Sequence, residues 1–292
     1  MISKKPRSTA HHPAYDDAMN ITTILQHATQ QIDRLDADAL LCHLLQRDRS
    51  YLRAWPEREV TSDLVAQFNT LVKRRQQGEP LAYLIGWREF WSLKLKVTPA
   101  TLIPRPETEL LVEQALQRIP QNAHWRIADL GTGSGAIALA IASERPNCTV
   151  VATDFSLAAL AVARENGLQL GIKNIEFRHG SWHEALNEDE QFQLIASNPP
   201  YVNAADDHLH HDGLPFEPQT ALTPGSDGLA AIRIIIEQMK PHLGEPAWLL
   251  LEHGHDQGDE VRALFQQHGY SEIKTRRDLG GNERLTEARL AT

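Results

Sequence analysis

Ile127-Ala128-Asp129-Leu130-Gly131-Thr132-Gly133-Ser134-Gly135-Ala136-Ile137-Ala138-Leu139-Ala140 is the stretch whose reading decides the fold. A short apolar run meets glycines at alternate positions, and a run of strong helix formers follows. The order is strand, turn, helix. Glycines without Cβ let the backbone approach a ligand closely, and the first N–H groups of the helix have no partner within it and can donate to that ligand. A nucleotide-like cofactor is implied. Gly131-x-Gly133-x-Gly135 differs from the G-x-G-x-x-G of a pyrophosphate binder, and the absence of Gly-Lys-Ser/Thr excludes a P-loop. Dinucleotide and methyl-donor enzymes both place such a turn at the carboxyl end of a first strand, so other residues must choose between them.

Working outward, short apolar runs at 126–130, 149–153, 175–178, 194–197 and 248–252 alternate with helical patterns. This alternation predicts βαβ units and a parallel sheet covered on both faces. Residues 270–277 and 283–290 would add two strands in a hairpin through Gly280-Gly281-Asn282. Upstream, Ile24, Leu25, Ala28, Leu40, Leu41, Leu44, Leu45, Leu64, Phe68, Leu71 and Val72 recur at helical spacing, which predicts a small helical bundle. Residues 86–98 change to aromatics followed by the alternating Leu93, Leu95, Val97, a hairpin linker. Pro104 and Pro106 then stiffen the chain before Glu107 opens a helix with apolar positions Leu110, Leu111, Ala115 and Leu116. The expected organisation is a disordered extension over 1–19, a helical domain over 20–85, a hairpin linker over 86–105 and the sheet domain over 106–292.

The 292 residues allow one large domain or a large and a small one. Cys42 and Cys148 are the only cysteines and have no CxxC spacing, which fits a reducing compartment, so a cytoplasmic location is expected. Lys4, Lys5 and Arg7 lead into no apolar h-region, and no apolar run approaches a membrane span. The formal charge of −9 argues against a surface built throughout to grip phosphate backbones. Lys73-Arg74-Arg75 could form a local basic patch, but it ends a helical pattern, where cations complement the helix dipole. His11-His12 reads as tail, and Asp206-Asp207-His208-Leu209-His210-His211-Asp212 as a polar loop without a second ligand cluster, so no metal is expected.

Two sites remain. Asp154, at the end of the second strand, can accept from both hydroxyls of a ribose. After the next strand, Ser181 can meet an adenine edge and Trp182 can lay its indole across the base, although a core role would also suit an indole. Asn198-Pro199-Pro200-Tyr201 leaves the carboxyl end of the fourth strand. The prolines stiffen it, and the Asn198 side-chain oxygen and Pro199 carbonyl could each accept one proton of an NH2 group. Tyr201 could pack on a flat acceptor. The segment therefore reads as a holder for a planar amino or amide nitrogen. Adenine N6, guanine N2 and a glutamine amide all qualify. The nucleobases would need a flipping pocket and a positive surface, whereas an acidic chain with a helical domain favours a protein partner. Glu252 and His253 end an apolar strand near the crevice, where a buried hydrogen-bonded role and a catalytic one both stay open.

Together these motifs resemble the release-factor glutamine methyltransferases, over about residues 20–290. The likeness also rests on Gly86-Trp87-Arg88-Glu89-Phe90-Trp91, on Thr101-Leu102-Ile103-Pro104-Arg105-Pro106-Glu107-Thr108-Glu109, on Phe216-Glu217-Pro218, on Leu250-Leu251-Glu252-His253-Gly254 and on Asn282-Glu283-Arg284. The extra residues before Ile21, Phe155 after the ribose aspartate and Pro215 before Phe216 depart from that pattern. The resemblance implies an α/β fold with a Rossmann-like seven-stranded methyltransferase sheet. It implies S-adenosyl-L-methionine as cofactor, contacted by Asp129, Gly131, Thr132, Gly133, Ser134, Gly135, Asp154, Phe155, Ser181, Trp182 and Asn198. Asn198, Pro199, Pro200 and Tyr201 would hold the glutamine, with Asn198, Pro199 and Tyr201 closest to the chemistry. The helical domain would dock class I peptide chain release factors, with no nucleic acid required.

Overall fold

The computed structural model describes residues 19–211 and 213–290. The extension expected before Met19, His11-His12 and Asp212 of the polar loop lie outside the described residues. The chain divides into two compact units, at Ile85 and Gly86.

The first unit is helical: α1 (Ile21–Ala28), α2 (Arg34–Leu45), α3 (Arg49–Ala54), α4 (Ser62–Gln76) and α5 (Leu81–Ile85). Four of these start on a side-chain cap. Asn20, Asp33, Asp48 and Thr61 accept from the backbone N–H of Thr23, Leu35, Tyr51 and Leu64, satisfying donors that the first turn leaves unpaired. Ile21, Ile24, Leu25, Ala28, Leu40, Leu41, Phe68 and Val72 bury the apolar stripes into one cluster. The basic run at the end of α4 is engaged within the unit. Arg74 pairs with Glu79 at 2.5 Å and Arg75 with Asp36 at 2.6 Å.

The second unit opens with the hairpin β1 (Trp87–Phe90) and β2 (Leu93–Lys96). Then follow α6 (Glu109–Arg118), β3 (Arg126–Leu130), α7 (Ala136–Glu144), β4 (Thr149–Asp154), α8 (Leu157–Leu170), β5 (Ile175–His179) and β6 (Phe192–Ser197). After β6 come α9 (Gln219–Leu222), α10 (Ala230–Gln238), β7 (Leu243–Glu252), α11 (Gly258–Gln267), β8 (Tyr270–Arg277) and β9 (Glu283–Leu290). The helix expected from Glu107 begins at Glu109, because Pro106, Glu107 and Thr108 wind as a 3-10 turn first. Asp207, His208, Leu209 and His210, expected as plain loop, also form a 3-10 turn.

Seven strands form one sheet in the order β5-β4-β3-β6-β7-β9-β8, with β9 and β8 antiparallel to their neighbours and the rest parallel. The chain lays β4 and β5 on one side of β3, then crosses to lay β6 on the other. The crossing opens a crevice beyond the carboxyl ends of β3 and β6, where ligands bind in sheets of this kind. Residues 136–142 of α7 are buried without exception, as a helix apolar all round requires. The register completes the arrangement. Leu130 pairs with Thr153 on one side and Ser197 on the other, so the next residues, Gly131, Asp154 and Asn198, leave three adjacent strands at one level.

Candidate active site

A cleft of about 930 Å³, counting the space open to solvent, lies over these three strand ends. Gly131, Gly133, Asp154, Phe155, Ser181, Trp182, Asn198 and Pro200 line it, so eight of the residues singled out from sequence meet in one place.

The turn needs its glycines for two separate reasons. Gly131 has φ +72°, a left-handed conformation that residues with a side chain rarely adopt. Gly135 has φ +86°, and a Cβ there would press to 2.9 Å on Leu139. Below the turn, Asp129 is fully buried. Its Oδ2 accepts from the Thr132 hydroxyl at 2.6 Å and from Ala138 N–H at 3.2 Å, while Oδ1 has no hydrogen-bond partner. Burial pushes its pKa up to about 7, against those two hydrogen bonds. Asp129 thus braces the turn from beneath and does not line the cleft. Thr132 and Ser134 line a smaller adjoining pocket that shares Gly131, Gly133 and Asn198 with the main one.

Asp154 stands at the cleft wall. Its Oδ2 accepts from Gly133 N–H at 2.8 Å and its Oδ1 from Ser156 N–H at 2.8 Å, so each oxygen is aimed and retains a lone pair. Burial raises its pKa, partly opposed by those N–H groups. Two vicinal hydroxyls of a ribose match that pair of acceptors. Phe155, two-thirds exposed at the cleft edge, offers a flat apolar face. Trp182 is held at φ +46°, an uncommon conformation for a bulky residue, and its position in the wall suits a planar base. A carboxylate for the ribose, aromatic faces for the base and a glycine floor together fit an adenosyl group.

On the opposite wall, Asn198 donates an Nδ2 proton to the Thr108 hydroxyl at 3.2 Å, which turns its Oδ1 away from that contact and leaves it free to accept. Pro199 is buried beneath it. Tyr201 closes the segment. It packs against the core cluster of β6 and β7 and donates its phenol proton to Glu252 Oε1 at 3.2 Å, while Pro200 lines the cleft in front of it. The Tyr201 carbonyl accepts from Gln257 Nε2 at 3.1 Å, which fixes the end of the segment. Glu252 is buried, and its pKa is pushed up to about 7. His253, also buried, donates from Nδ1 to the Gly254 carbonyl at 2.8 Å, so its Nε2 accepts from the Thr286 hydroxyl at 2.9 Å. Burial favours its neutral form, which suits a hydrogen-bonded core residue.

Two further walls were not assigned to the site from sequence. Ala100, Thr101 and Leu102 line one side, and Pro218, Thr220 and Ala221 another. The buried carboxylate of Glu217 staples these two loops, accepting from Ile103 N–H at 2.9 Å and from Arg105 at 2.5 Å. Among the described residues no group of three or more His, Cys, Asp or Glu side chains is placed to hold a metal ion.

Residues 19–86 match the PrmC N-terminal domain, and residues 106–213 match the methyltransferase small domain. The chain is 45% identical over 276 residues to the release factor glutamine methyltransferase of Aliivibrio fischeri, covering 92% of this chain and 97% of that one. The chain belongs to the release factor glutamine methyltransferase family. It is 52% identical over 256 residues to the family member of Coxiella burnetii, covering 88% and 91% of the two chains. A methyltransferase from Pyrococcus furiosus shares the fold, with a TM-score of 0.53 at 16% identity over 75% of this chain and 98% of that one.

Proposed function

We propose that this enzyme transfers a methyl group from S-adenosylmethionine to the side-chain amide nitrogen (N5) of a glutamine in class I peptide chain release factors, modulating translation termination. The observation that carries this reading is Asn198, at the same strand-end level as Gly131 and Asp154. With its NH2 turned to Thr108, it keeps an oxygen for an amide NH2.

Bound S-adenosylmethionine supplies an electrophilic methyl group on a positively charged sulfur. Asp154 would hold the ribose, Phe155, Ser181 and Trp182 the base, and the turn at 131–135 the rest of the cofactor. Asn198 Oδ1 and the Pro199 carbonyl accept the two protons of the glutamine amide. The difficulty is electronic, because the amide nitrogen shares its lone pair with the carbonyl, on the scale of a ~18–20 kcal/mol rotation barrier. Two hydrogen bonds at ~0.5–1.5 kcal/mol net each cannot offset that. Holding the nitrogen in line at ~3–3.5 Å contributes ~7–11 kcal/mol, so positioning is the larger effect. The oxygens then stabilise the positive charge that develops on nitrogen. No base is needed beforehand, since the nitrogen becomes acidic only as it is methylated and water can take its proton.

The helical unit docks the release factor, and no nucleic acid takes part. Free Cys42 and Cys148, and the lack of any helix among the described residues long and apolar enough to cross a membrane, support a cytoplasmic setting. A radiolabelled methyl-transfer assay offering release factor, DNA and ribosomal RNA side by side tests the substrate. Label should enter the release factor at a glutamine. Label on nucleic acid only would sink the reading.

A further inference from the structure

The acceptor segment has few means of holding itself. Pro199 and Pro200 have no N–H to donate, so the aim of this stretch depends on what grips its two ends. Thr108 takes the Asn198 end, its hydroxyl accepting from Nδ2 at 3.2 Å. At the other end, the Tyr201 carbonyl accepts from Gln257 Nε2 at 3.1 Å. Gln257 lies in the turn between β7 and α11, and its side chain makes two more hydrogen bonds. Oε1 accepts from Gly254 N–H at 2.8 Å, and Nε2 also donates to the Gly228 carbonyl at 3.4 Å. One amide thus joins the acceptor segment, the turn after β7 and the loop between α9 and α10.

Gly228 is a second, independent mark of the same junction. It is buried with φ +70°, and a Cβ there would stand 2.7 Å from the Tyr201 carbonyl oxygen and 2.8 Å from Gln257 Nε2. Glycine lets the three segments close on one another. Beyond Tyr201 the chain stays tied to that loop, with Val202 N–H donating to the Leu222 carbonyl at 2.9 Å and Ala204 N–H to the Gly225 carbonyl at 3.1 Å.

We propose that Gln257 is a positioning residue for methyl transfer, setting through the Tyr201 carbonyl the place at which Asn198 and the Pro199 carbonyl meet the acceptor nitrogen. The inference rests on the function proposed above.

The junction asks for a particular side chain. It presents one N–H and two carbonyls, so it needs an acceptor and a two-proton donor at one point. A primary amide supplies both, whereas a carboxylate only accepts and a lysine or arginine only donates. Because both proline rings lock φ near ~−65°, a shift at Tyr201 carries back toward Pro199 instead of being absorbed between them. A displacement of ~1 Å at the reacting atoms costs ~10²-fold in rate, so a loosened Tyr201 should be felt in the chemical step.

Full-length parent, Gln257→Leu and Gln257→Glu are assayed on release factor at saturating S-adenosylmethionine, with donor affinity measured by calorimetry and Tm recorded at each pH. Gln257→Leu, close in size but without either polar group, should lose about tenfold or more in kcat, while donor affinity and KM for release factor stay within about twofold. Gln257→Glu keeps the test open if the leucine variant fails to fold. Its ionised carboxylate still accepts from Gly254 but has no proton for Tyr201, and once protonated its O–H can donate there again. A carboxyl facing two carbonyl oxygens titrates above its ordinary ~4.3, so the ratio of its kcat to the parent's should climb several-fold as pH falls from about 8.5 to about 5.5. A role in stability alone would lower Tm and leave the kcat of the folded variants at the parent's value at every pH. A ratio that stays flat with pH, or losses that fall on KM or donor affinity and spare kcat, overturns the proposal. A parent inactive on release factor counts against the proposed function. An active parent with indifferent variants counts against Gln257 alone.

Discussion

Asn198 has one side chain and two duties, giving an N–H to Thr108 and keeping an oxygen for the acceptor. Asn198→Ala removes both, and because aim outweighs bond strength the loss should fall on kcat, at roughly 10²–10³-fold. Calorimetry should still detect donor binding, and an unchanged transfer rate would refute the holder. Asp154 behaves in the opposite way. Its carboxylate accepts from Gly133 and Ser156, and in the proposed complex from the ribose. Asp154→Ala should weaken donor affinity about a hundredfold or more, since two charge-assisted hydrogen bonds contribute ~1.5–3 kcal/mol each. Parent-like affinity in the same titration would rule out the ribose assignment. The strand-end positions of Asn198 and Asp154 were legible in the sequence because each follows a recognisable strand. The hydrogen bond of Tyr201 was not, because its partner Glu252 comes from β7, 51 residues later in the chain.

The β3–turn–α7 unit could be read directly, since its apolar run, its glycines and its helix formers are contiguous. The side of β3 on which β6 would pair could not, because strand order is fixed by tertiary packing and leaves no local mark. That order brings Asn198 beside Gly131. The loops at 100–105 and 214–218 carry motifs of the resemblance, but their shape could not be read, for a related reason. They have no period, and what shapes them is Glu217, reaching across 114 residues to the backbone of Ile103. Glu217→Ala would orphan the Ile103 N–H and strip Arg105 of its partner. The cost should be about 2–4 kcal/mol of stability, moderated by the partial exposure of Arg105. Urea denaturation measures it directly, and the loosened cleft should raise KM for the donor. A variant as stable as the parent would mean that the two loops are held by something else.

At the scale of the whole chain, each compact unit has an apolar core made of its own residues. Ile21, Leu40, Phe68 and Val72 anchor one, while the two sides of the sheet anchor the other. Every residue that lines the candidate cleft belongs to the second unit. The division of labour in the proposed function follows from this. Donor binding and chemistry need the sheet unit alone, whereas recognition of a folded protein needs a surface larger than one glutamine. The fragment 86–292 should therefore bind S-adenosylmethionine with an affinity close to that of the full chain, as calorimetry would show. It should methylate a short glutamine-containing peptide at the full chain's rate. Its kcat/KM on intact release factor should fall about tenfold or more, the equivalent of ~1.4 kcal/mol of lost docking. A fragment that modifies intact release factor as well as the full chain does would show that the helical unit has no part in docking. A fragment that loses the peptide reaction as well would show that the helical unit supports the chemistry itself.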